Sequence, residues 1–244
     1  MDSGYYAACA GLAAQSQALE LVANNLANLG TAGYRGQRAI FRSLLASDSS
    51  TAWNPLNAVV NNFGVLGGSR IDVASGSLSA TGNPLDMAVA GQGFFAVSSA
   101  GETLYTRNGG FQRTPDGHLV TAKGNNVLGE QGPIVLPNGA VAVSADGTIS
   151  VDAAVVAKLK IAEFAPDTSL ISVGNSLYAA PRGSALPPAS SAVRQGMIEA
   201  SNVSPVESVV QLIAVQRSAE MMQRALSLFD SQFNQTAVQD LARI

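Results

Sequence analysis

The sequence holds few of the side chains that build catalytic or metal sites. Among its 244 residues there is one cysteine, Cys9. A single cysteine excludes an intramolecular disulfide and a cysteine-cluster metal site. There is also one histidine, His118, which excludes paired-histidine zinc sites. We therefore expect neither a metal nor a cofactor.

Charge and long apolar runs are also scarce. Charged residues make up 13% of the chain and the formal net charge is −3, which disfavours a nucleic-acid partner. The 47% hydrophobic content argues against wholesale disorder. Apolar runs fall far short of the roughly 18 residues of a membrane-spanning helix. The first residues lack the basic start and apolar block of a secretory signal. The sequence predicts a soluble protein without membrane insertion, either cytosolic or exported without a cleaved signal.

The few reactive residues are not arranged for catalysis. His118 follows an Asp116-Gly117 turn, where an exposed histidine is expected rather than a general base. Cys9 falls on a predicted helix as a small packing residue. The 17 acidic residues do not show the spacing of a carboxylate pair or a calcium loop. Gly91-Gln92-Gly93 leads into a strand, whereas a phosphate-binding loop needs a helix N-terminus. These patterns argue against an enzyme.

Glycine and proline are nearly missing from both ends of the chain. Residues 12–29 contain neither, and residues 197–244 contain only Pro205. We predict a first helix from Ser3 to Asn28, with Gly30 as the left-handed residue after it. The last helix should run from Pro205 to about Ala242. Its start at Ser204-Pro205-Val206-Glu207 has the pattern of a capping box with proline at the first helical position.

Both predicted helices carry a narrow apolar stripe with steps of three and four residues, as coiled coils do. On the first helix the stripe comprises Tyr5, Ala8, Leu12, Leu19, Val22, Leu26 and Leu29, broken by Gln15. On the last helix it comprises Leu212, Val215, Ala219, Met222, Leu226, Phe229 and Phe233. A second apolar face near the start of the last helix comprises Val206, Val209, Val210 and Ile213. An amphipathic helix of this kind needs a partner. The two helices could pack on the body of a monomer or form a bundle between subunits.

Three asparagines stand out near the end of the first helix. Asn24 and Asn28 are four residues apart and share a face, and Asn25 lies beside them. Asparagine is a poor helix former because its side chain competes for backbone hydrogen bonds. Two interpretations remain open: fraying near a helix end, or an interhelical amide ladder that fixes register. We include all three residues in the predicted assembly interface.

The middle of the chain has the alternation and tight turns of antiparallel β structure. We predict that residues 93–98 pair with 104–107, and residues 111–114 with 118–121. Asn138-Gly139 should link 134–136 to 141–143, and Asp146-Gly147 should link the latter to 148–151. Residues 158–164 alternate as a half-buried strand. The predicted fold class is α+β: a discontinuous, coiled-coil-like domain of the two terminal helices, with an antiparallel all-β domain inserted between them. The predicted divisions are 1–30 with 200–244, an extended connector at 31–70, and a β-rich domain at 71–199.

Several blocks of the sequence resemble the bacterial flagellar rod and hook protein family. Ala23-Asn24-Asn25-Leu26-Ala27-Asn28 with Thr31-Ala32-Gly33-Tyr34-Arg35 is similar to its N-terminal signature. The segments at 83–97 and 105–111 resemble its central motifs, and residues 196–207 with 216–220 resemble the start and interior of its C-terminal helix. The blocks follow the family order and cover both ends and the middle.

The resemblance implies a structural building block rather than an enzyme. Family members leave the cytoplasm unfolded through the flagellar type III export apparatus and assemble helically in the periplasm. They form the drive shaft that carries torque to the hook. The implied partners are other copies of the chain, proximal and distal rod proteins, the export apparatus and the surrounding ring or bushing. Length and the single β region resemble proximal rod members, with distal rod members as the alternative. A β-domain adhesin or binding module is a further alternative.

Overall fold

The computed structural model describes residues 2–42, 65–165 and 168–241. Residues 43–64 of the predicted connector lie outside the described residues. The chain divides into two compact units. The first, here the helical unit, comprises Met1–Leu26, Gln37–Ser69 and Pro205–Ile244. The second, here the β domain, comprises Ala27–Gly36 and Arg70–Ser204.

Two long helices form where glycine and proline are scarce. Helix α1 spans Asp2–Ala27 and helix α2 spans Pro205–Leu241, which confirms both predicted helices. The 37 residues of α2 extend about 55 Å at 1.5 Å per residue. Neither described helix is long and apolar enough to cross a membrane.

Two local predictions for the first helix are wrong. Gly30 is not left-handed; that conformation falls on Gly33, at φ 64°, because the chain makes its close turn three residues later. Cys9 is exposed rather than packed. The buried face of α1 instead consists of Gly11, Ala14, Ala18, Val22 and Asn25, with steps of three and four residues.

Most of the described stripe residues are half-buried in this single chain: Leu12, Leu19, Leu26, Leu29, Leu212, Val215, Ala219, Met222 and Leu226. Val22 is buried. The side chains of Tyr5, Ala8, Phe229 and Phe233 lie outside the described set. The second apolar face of α2, at Val206, Val209, Val210 and Ile213, is exposed.

The helical unit also contains strand β1, Gln37–Arg42. It pairs with strand β2, Val65–Ile71, in a two-stranded sheet. Both strands fall in the region that the sequence suggested as an extended connector. Turn-forming residues between them dominated the sequence pattern there.

The β domain is built on a nine-stranded sheet. Along its main path the strands are β15 (Ile171–Gly174), β16 (Leu177–Ala179), β6 (Glu102–Thr106), β5 (Phe94–Ser99), β9 (Asn126–Gly129), β8 (Leu119–Thr121) and β7 (Phe111–Arg113). Strand β10 (Gly132–Pro133) pairs with β9, and β14 (Ile161–Ala162) pairs with β5. All of these pairings are antiparallel.

Three smaller sheets complete the domain. One has the order β11 (Val141–Val143), β12 (Thr148–Val151) and β13 (Ala154–Lys158). The other two pair β17 (Ala192–Gln195) with β4 (Met87–Ala90), and β18 (Met197–Glu199) with β3 (Leu78–Ala80). These last two sheets join the start of the central region to the residues just before α2.

The local hairpin signals gave mixed results. The pairings of β5 with β6, of β7 with β8, and of β11 with β12 across Asp146-Gly147 confirm three predicted hairpins. The hairpin predicted at Asn138-Gly139 is wrong. Residues 134–136 instead bond to the 117–119 backbone: the Leu119 amide donates to the Ile134 carbonyl at 2.9 Å, and the Leu136 amide to the Gly117 carbonyl at 2.7 Å. Burial of Ile134 and Leu136 in the core outweighs the local turn preference.

The strand predicted at 158–164 is interrupted. Strand β13 ends at Lys158 and β14 begins at Ile161. Between them the backbone changes partners, since the Leu159 amide donates to Gly147 and the Lys160 amide to Leu128. The alternation of buried and exposed side chains continues through the break, so periodicity alone did not reveal it.

Strand β5 separates two hydrophobic clusters. Phe95 belongs to the larger cluster, where its ring packs edge-on against Phe111 with centroids 5.1 Å apart. Phe94 belongs to the other, where its ring packs edge-on against Tyr178 at 5.9 Å. Successive side chains of a strand point to opposite faces, so β5 contributes to both sides. Aromatic contacts of this geometry stabilise by about 0.5–1.5 kcal/mol beyond their buried area.

Candidate functional site

Three segments that are far apart in sequence meet in the β domain through buried charges. Arg35 follows α1, Arg107 follows β6, and Glu199 ends β18. Their side chains are 1%, 0% and 1% exposed. Arg35 Nη2 lies 2.8 Å from Glu199 Oε1, and Arg107 Nη1 lies 3.1 Å from Glu199 Oε2. We call these three residues the charge junction.

Backbone carbonyls and an aromatic ring complete the surroundings of Arg107. Its Nη1 also donates to the Val89 carbonyl at 3.0 Å, and its Nη2 donates to the Gly91 carbonyl at 2.6 Å. The guanidinium carbon lies 4.9 Å from the centre of the Phe94 ring, within the range of a cation–π contact. Arg107 therefore connects the charge junction to the hydrophobic cluster that contains Phe94. Polar residues on a strand ordinarily lie on a solvated sheet face, but Tyr105, Thr106 and Arg107 are all buried here.

The charge junction contains two cations and one anion. Burial lowers the pKa of Arg107 to about 10, although the nearby Glu199 carboxylate opposes that change. Burial also lowers the pKa of Arg35, again opposed by Glu199. Both arginines stay protonated at neutral pH, so Glu199 is the counterion that both share. Removing one partner of a buried ion pair is costly because it leaves an uncompensated charge.

The segment 30–36, here the strap, is tied down by backbone hydrogen bonds. The Gly33 amide donates to the Glu199 carbonyl at 2.7 Å. The Arg35 amide donates to the Tyr178 hydroxyl at 2.9 Å, and the Gly36 amide donates to Asn202 Oδ1 at 2.7 Å. Burial raises the pKa of Tyr178 to about 12, so this hydroxyl is neutral at physiological pH. Two of these acceptors, Glu199 and Asn202, lie just before α2, and the third, Tyr178, lies in β16.

Glycine is required where backbone segments approach one another around the charge junction. Gly33 has φ +64°, and a Cβ there would lie 2.2 Å from the Asn108 amide nitrogen. A Cβ at Gly76 would lie 2.1 Å from the Ala200 carbonyl oxygen. Real Cβ atoms do not approach backbone atoms so closely, so larger residues would force the segments apart. The N-terminal motif block therefore packs backbone to backbone on the 105–111 block, and the 196–207 block packs in the same way on residue 76.

The three asparagines do not share one role. Asn25 is buried, and within the helical unit its side-chain amide pairs with the Gln37 backbone in both directions, each at 2.8 Å. Asn24 is exposed. In the β domain, Asn28 Oδ1 accepts a hydrogen bond from the Thr31 hydroxyl at 3.1 Å. In the single chain, the side-chain amide of Asn25 fixes the start of β1.

The remaining candidate residues lie apart from the charge junction. His118 is half-buried rather than exposed, because its backbone bridges to Val135. Within residues 2–42, 65–165 and 168–241, no group of three His, Cys, Asp or Glu residues could hold a metal ion. The sequence predicted neither the burial nor the pairing of Arg35, Arg107 and Glu199. The available signal was that each of three motif blocks contains one of these charged residues.

Family comparisons match three parts of the chain. Residues 6–35 match the flagella basal body rod protein family. Residues 88–151 match the flagellar hook protein FlgE/F/G D1 domain, and residues 194–237 match the flagellar basal body rod FlgEFG protein C-terminal family. Each of the three matches contains one member of the charge junction.

Curated relatives match over nearly their whole length. The chain is 34% identical to the flagellar basal-body rod protein FlgG of Agrobacterium fabrum, over 91% of this chain and 94% of that protein. It is 30% identical to FlgF of Caulobacter vibrioides over 100% of both chains. It is 34% identical to FlgF of Salmonella typhimurium over 94% of this chain and 95% of that protein.

Proposed function

The chain belongs to the flagellar basal-body rod protein family, and we propose that it is a proximal rod subunit of the FlgF type. It is a structural subunit of the flagellar basal-body rod, FlgF-like or FlgG-like. Support for the FlgF type comes from the end-to-end match to Caulobacter FlgF. The FlgG of the same organism matches over 94% of this chain at 32% identity, which makes a distal rod subunit the alternative. A structural role also argues against catalysis.

A complementation experiment distinguishes the two rod positions. The gene is expressed in two strains of Caulobacter vibrioides, one lacking its FlgF and the other lacking its FlgG. We expect swimming to return in the first strain and not in the second. An empty vector and the deleted gene itself serve as controls. Rescue of the second strain alone would overturn the proximal assignment and leave the family assignment intact.

The proposed mechanism is assembly through the terminal helices. The observation that carries it is the apolar face of α2 that this single chain leaves exposed: Val206 is 75% exposed and Val210 is 61% exposed. Exposed aliphatic side chains in a row indicate an interaction surface. A neighbouring subunit that covers this face and the half-buried stripe makes a heterologous contact, which propagates as a helical filament.

In this mechanism the terminal helices bind to other copies of the chain and to adjacent proximal and distal rod proteins. The proposed interface residues are Leu12, Leu19, Asn24, Asn25, Leu26, Asn28, Leu212, Val215, Met222, Leu226, Phe229 and Phe233. The terminal helices pack with those of neighbouring subunits in a coiled-coil-like arrangement. The β domain contacts the surrounding ring or bushing. The subunit reaches the periplasm through the flagellar export apparatus and folds its ends during assembly.

Charge placed on the exposed face of α2 should block assembly while leaving the monomer folded. The test variant is Val206→Asp with Val210→Asp, because both side chains are already accessible to solvent. We expect the melting temperature of the purified monomer to change little, since surface substitutions usually cost within about 0.5 kcal/mol. In cells we expect swimming to be lost and basal bodies to contain at least tenfold less of the protein.

The matched control places the same charges on exposed polar positions of the same helix, Gln216→Asp with Gln223→Asp. This control should swim normally. Normal swimming and normal rod content in the valine variant would show that the exposed apolar face is not an assembly surface.

A further inference from the structure

We propose that the charge junction is a lock that holds the strap on the β domain and that can be opened at Arg35 without unfolding that domain. The lock is a property of the single chain. Its consequence for the assembled shaft rests on the proposed function.

The attachment of the strap depends on a few specific bonds. Residues 30–36 belong to no helix or strand, so no regular ladder holds them. Three strap amides donate to Glu199, Tyr178 and Asn202, and the Arg35 side chain reaches past them to the buried carboxylate. Arg35 is the one charged residue of the strap; its Nη1 donates to the Ala74 carbonyl and its Nη2 forms the ion pair with Glu199. The Arg35 side chain is therefore the attachment of the strap that a single substitution can remove.

Removing Arg35 leaves its partners satisfied. Glu199 Oε1 still accepts the Gly76 amide at 2.7 Å, and Glu199 Oε2 still pairs with Arg107. The Ala74 carbonyl, which also accepts from Arg35 Nη1, keeps the Asn202 amide at 2.9 Å. The remaining Arg107–Glu199 pair is neutral. A site that loses one of two cations and keeps a balanced pair should remain stable, because no buried charge is left unpaired.

Arg107 and Arg35 therefore have different roles. Arg107 bonds to two carbonyls of the β domain and lies over Phe94 of the second hydrophobic cluster. It holds Glu199 in place whether or not the strap is attached. Arg35 is the removable member, contributed by the strap itself. Within the charge junction, Arg107 and Glu199 thus form a fixed half-site. The strap binds to this half-site through the Arg35 side chain.

This arrangement has a consequence for a rod subunit. The strap is the chain segment that follows α1, and Glu199 lies in the segment that leads to α2. A load carried along either segment reaches the β domain at the lock. The lock also cannot close until the segments that contain Arg35 and Glu199 have both been synthesised and are free to fold. These two residues lie near opposite ends of the chain. Closure of the lock therefore marks a folded β domain.

Hydrogen exchange on the purified full-length monomer tests the lock. The variant is Arg35→Met, which keeps much of the apolar stem and removes the charge. We expect amides 33–36 to exchange at least tenfold faster than in the unmodified chain. We expect amides of β5 and β6 to exchange at an unchanged rate, because the Arg107–Glu199 half-site remains. Arg182→Met, at an exposed arginine of the same domain, is the control and should change neither region.

A second variant separates the side chain from the backbone contacts. Tyr178→Phe removes only the hydroxyl that accepts the Arg35 amide, so it should accelerate exchange of the strap less than Arg35→Met does. Unchanged strap exchange in Arg35→Met would overturn the lock. Equal acceleration in β5 and β6, or failure of Arg35→Met to fold, would overturn the claim that the lock opens independently. Because these measurements use the monomer, they do not depend on the rod assignment, which complementation tests separately.

Discussion

Replacing Glu199 with glutamine should lower the free energy of unfolding of the β domain by about 3–5 kcal/mol, the usual cost of breaking a buried ion pair. Glutamine keeps the size of the side chain and removes its charge. Two guanidinium groups at 1% and 0% exposure are then left without their shared anion. One end of the glutamine also presents an NH2 group to donors that need an acceptor. Urea unfolding of the purified monomer, followed by far-UV circular dichroism, measures the change.

A surface carboxylate provides the matched control. Glu130 pairs with Lys158 at 3.4 Å, but both side chains are largely exposed, at 60% and 44%. Solvent screens such pairs, so Glu130→Gln should cost no more than about 1 kcal/mol. A Glu199→Gln variant as stable as Glu130→Gln would show that the buried carboxylate does not hold the charge junction together.

The double variant Glu199→Gln with Arg35→Met tests the charge balance directly. The single glutamine variant leaves two buried cations, whereas the double variant leaves one. We therefore expect the double variant to be more stable than Glu199→Gln alone, although it lacks one more buried contact. Residues in one ion-pair network show coupling of about 0.5–3 kcal/mol. Additive losses would instead mean that the two residues act independently.

The helices could be predicted because their signals are local. Absence of glycine and proline from residues 12–29, together with stripes at steps of three and four, placed α1 and α2 to within one or two residues. The Asp146-Gly147 hairpin was predicted for the same reason, since its two strands are adjacent in sequence. The failed turn at Asn138-Gly139 shows the limit. There, burial of Ile134 and Leu136 beside a distant segment decided the pairing.

The charge junction could not be predicted because burial of a charge is a property of the whole fold. Arg107 sits in a strand-like sequence where a solvated face is the ordinary expectation, and nothing nearby indicates Glu199 as its partner. Arg35 stands in the N-terminal motif block, and nothing near it in the sequence indicates that it is buried. The resemblance to the rod family did place all three residues in motif blocks. The fold was needed to show that those blocks meet, because their contacts are between distant segments.

The second large effect is expected at Gly109, where an alanine cannot fit. A Cβ at this position would lie 1.5 Å from the Met87 carbonyl oxygen and 2.6 Å from its carbonyl carbon. Both are backbone atoms of strand β4, so no side-chain rotation relieves the clash. The Met87 amide also donates to the Gly109 carbonyl at 3.0 Å, and this bond would lengthen or break as the two segments separate.

We expect Gly109→Ala to destabilise the β domain by about 3 kcal/mol or more, combining overpacking with the loss of a buried hydrogen bond. The neighbouring glycine supplies the control. A Cβ at Gly110 would meet only the Asn108 side-chain oxygen, at 3.2 Å, so Gly110→Ala should cost about 1 kcal/mol or less. Urea unfolding of both variants measures the difference.

Displacement at Gly109 should also loosen the strap, because Gly33 packs on the backbone of Asn108. Equal stability of the two alanine variants would mean that the backbone of β4 can move aside at little cost, and that the close packing of the motif blocks is not what stabilises this region.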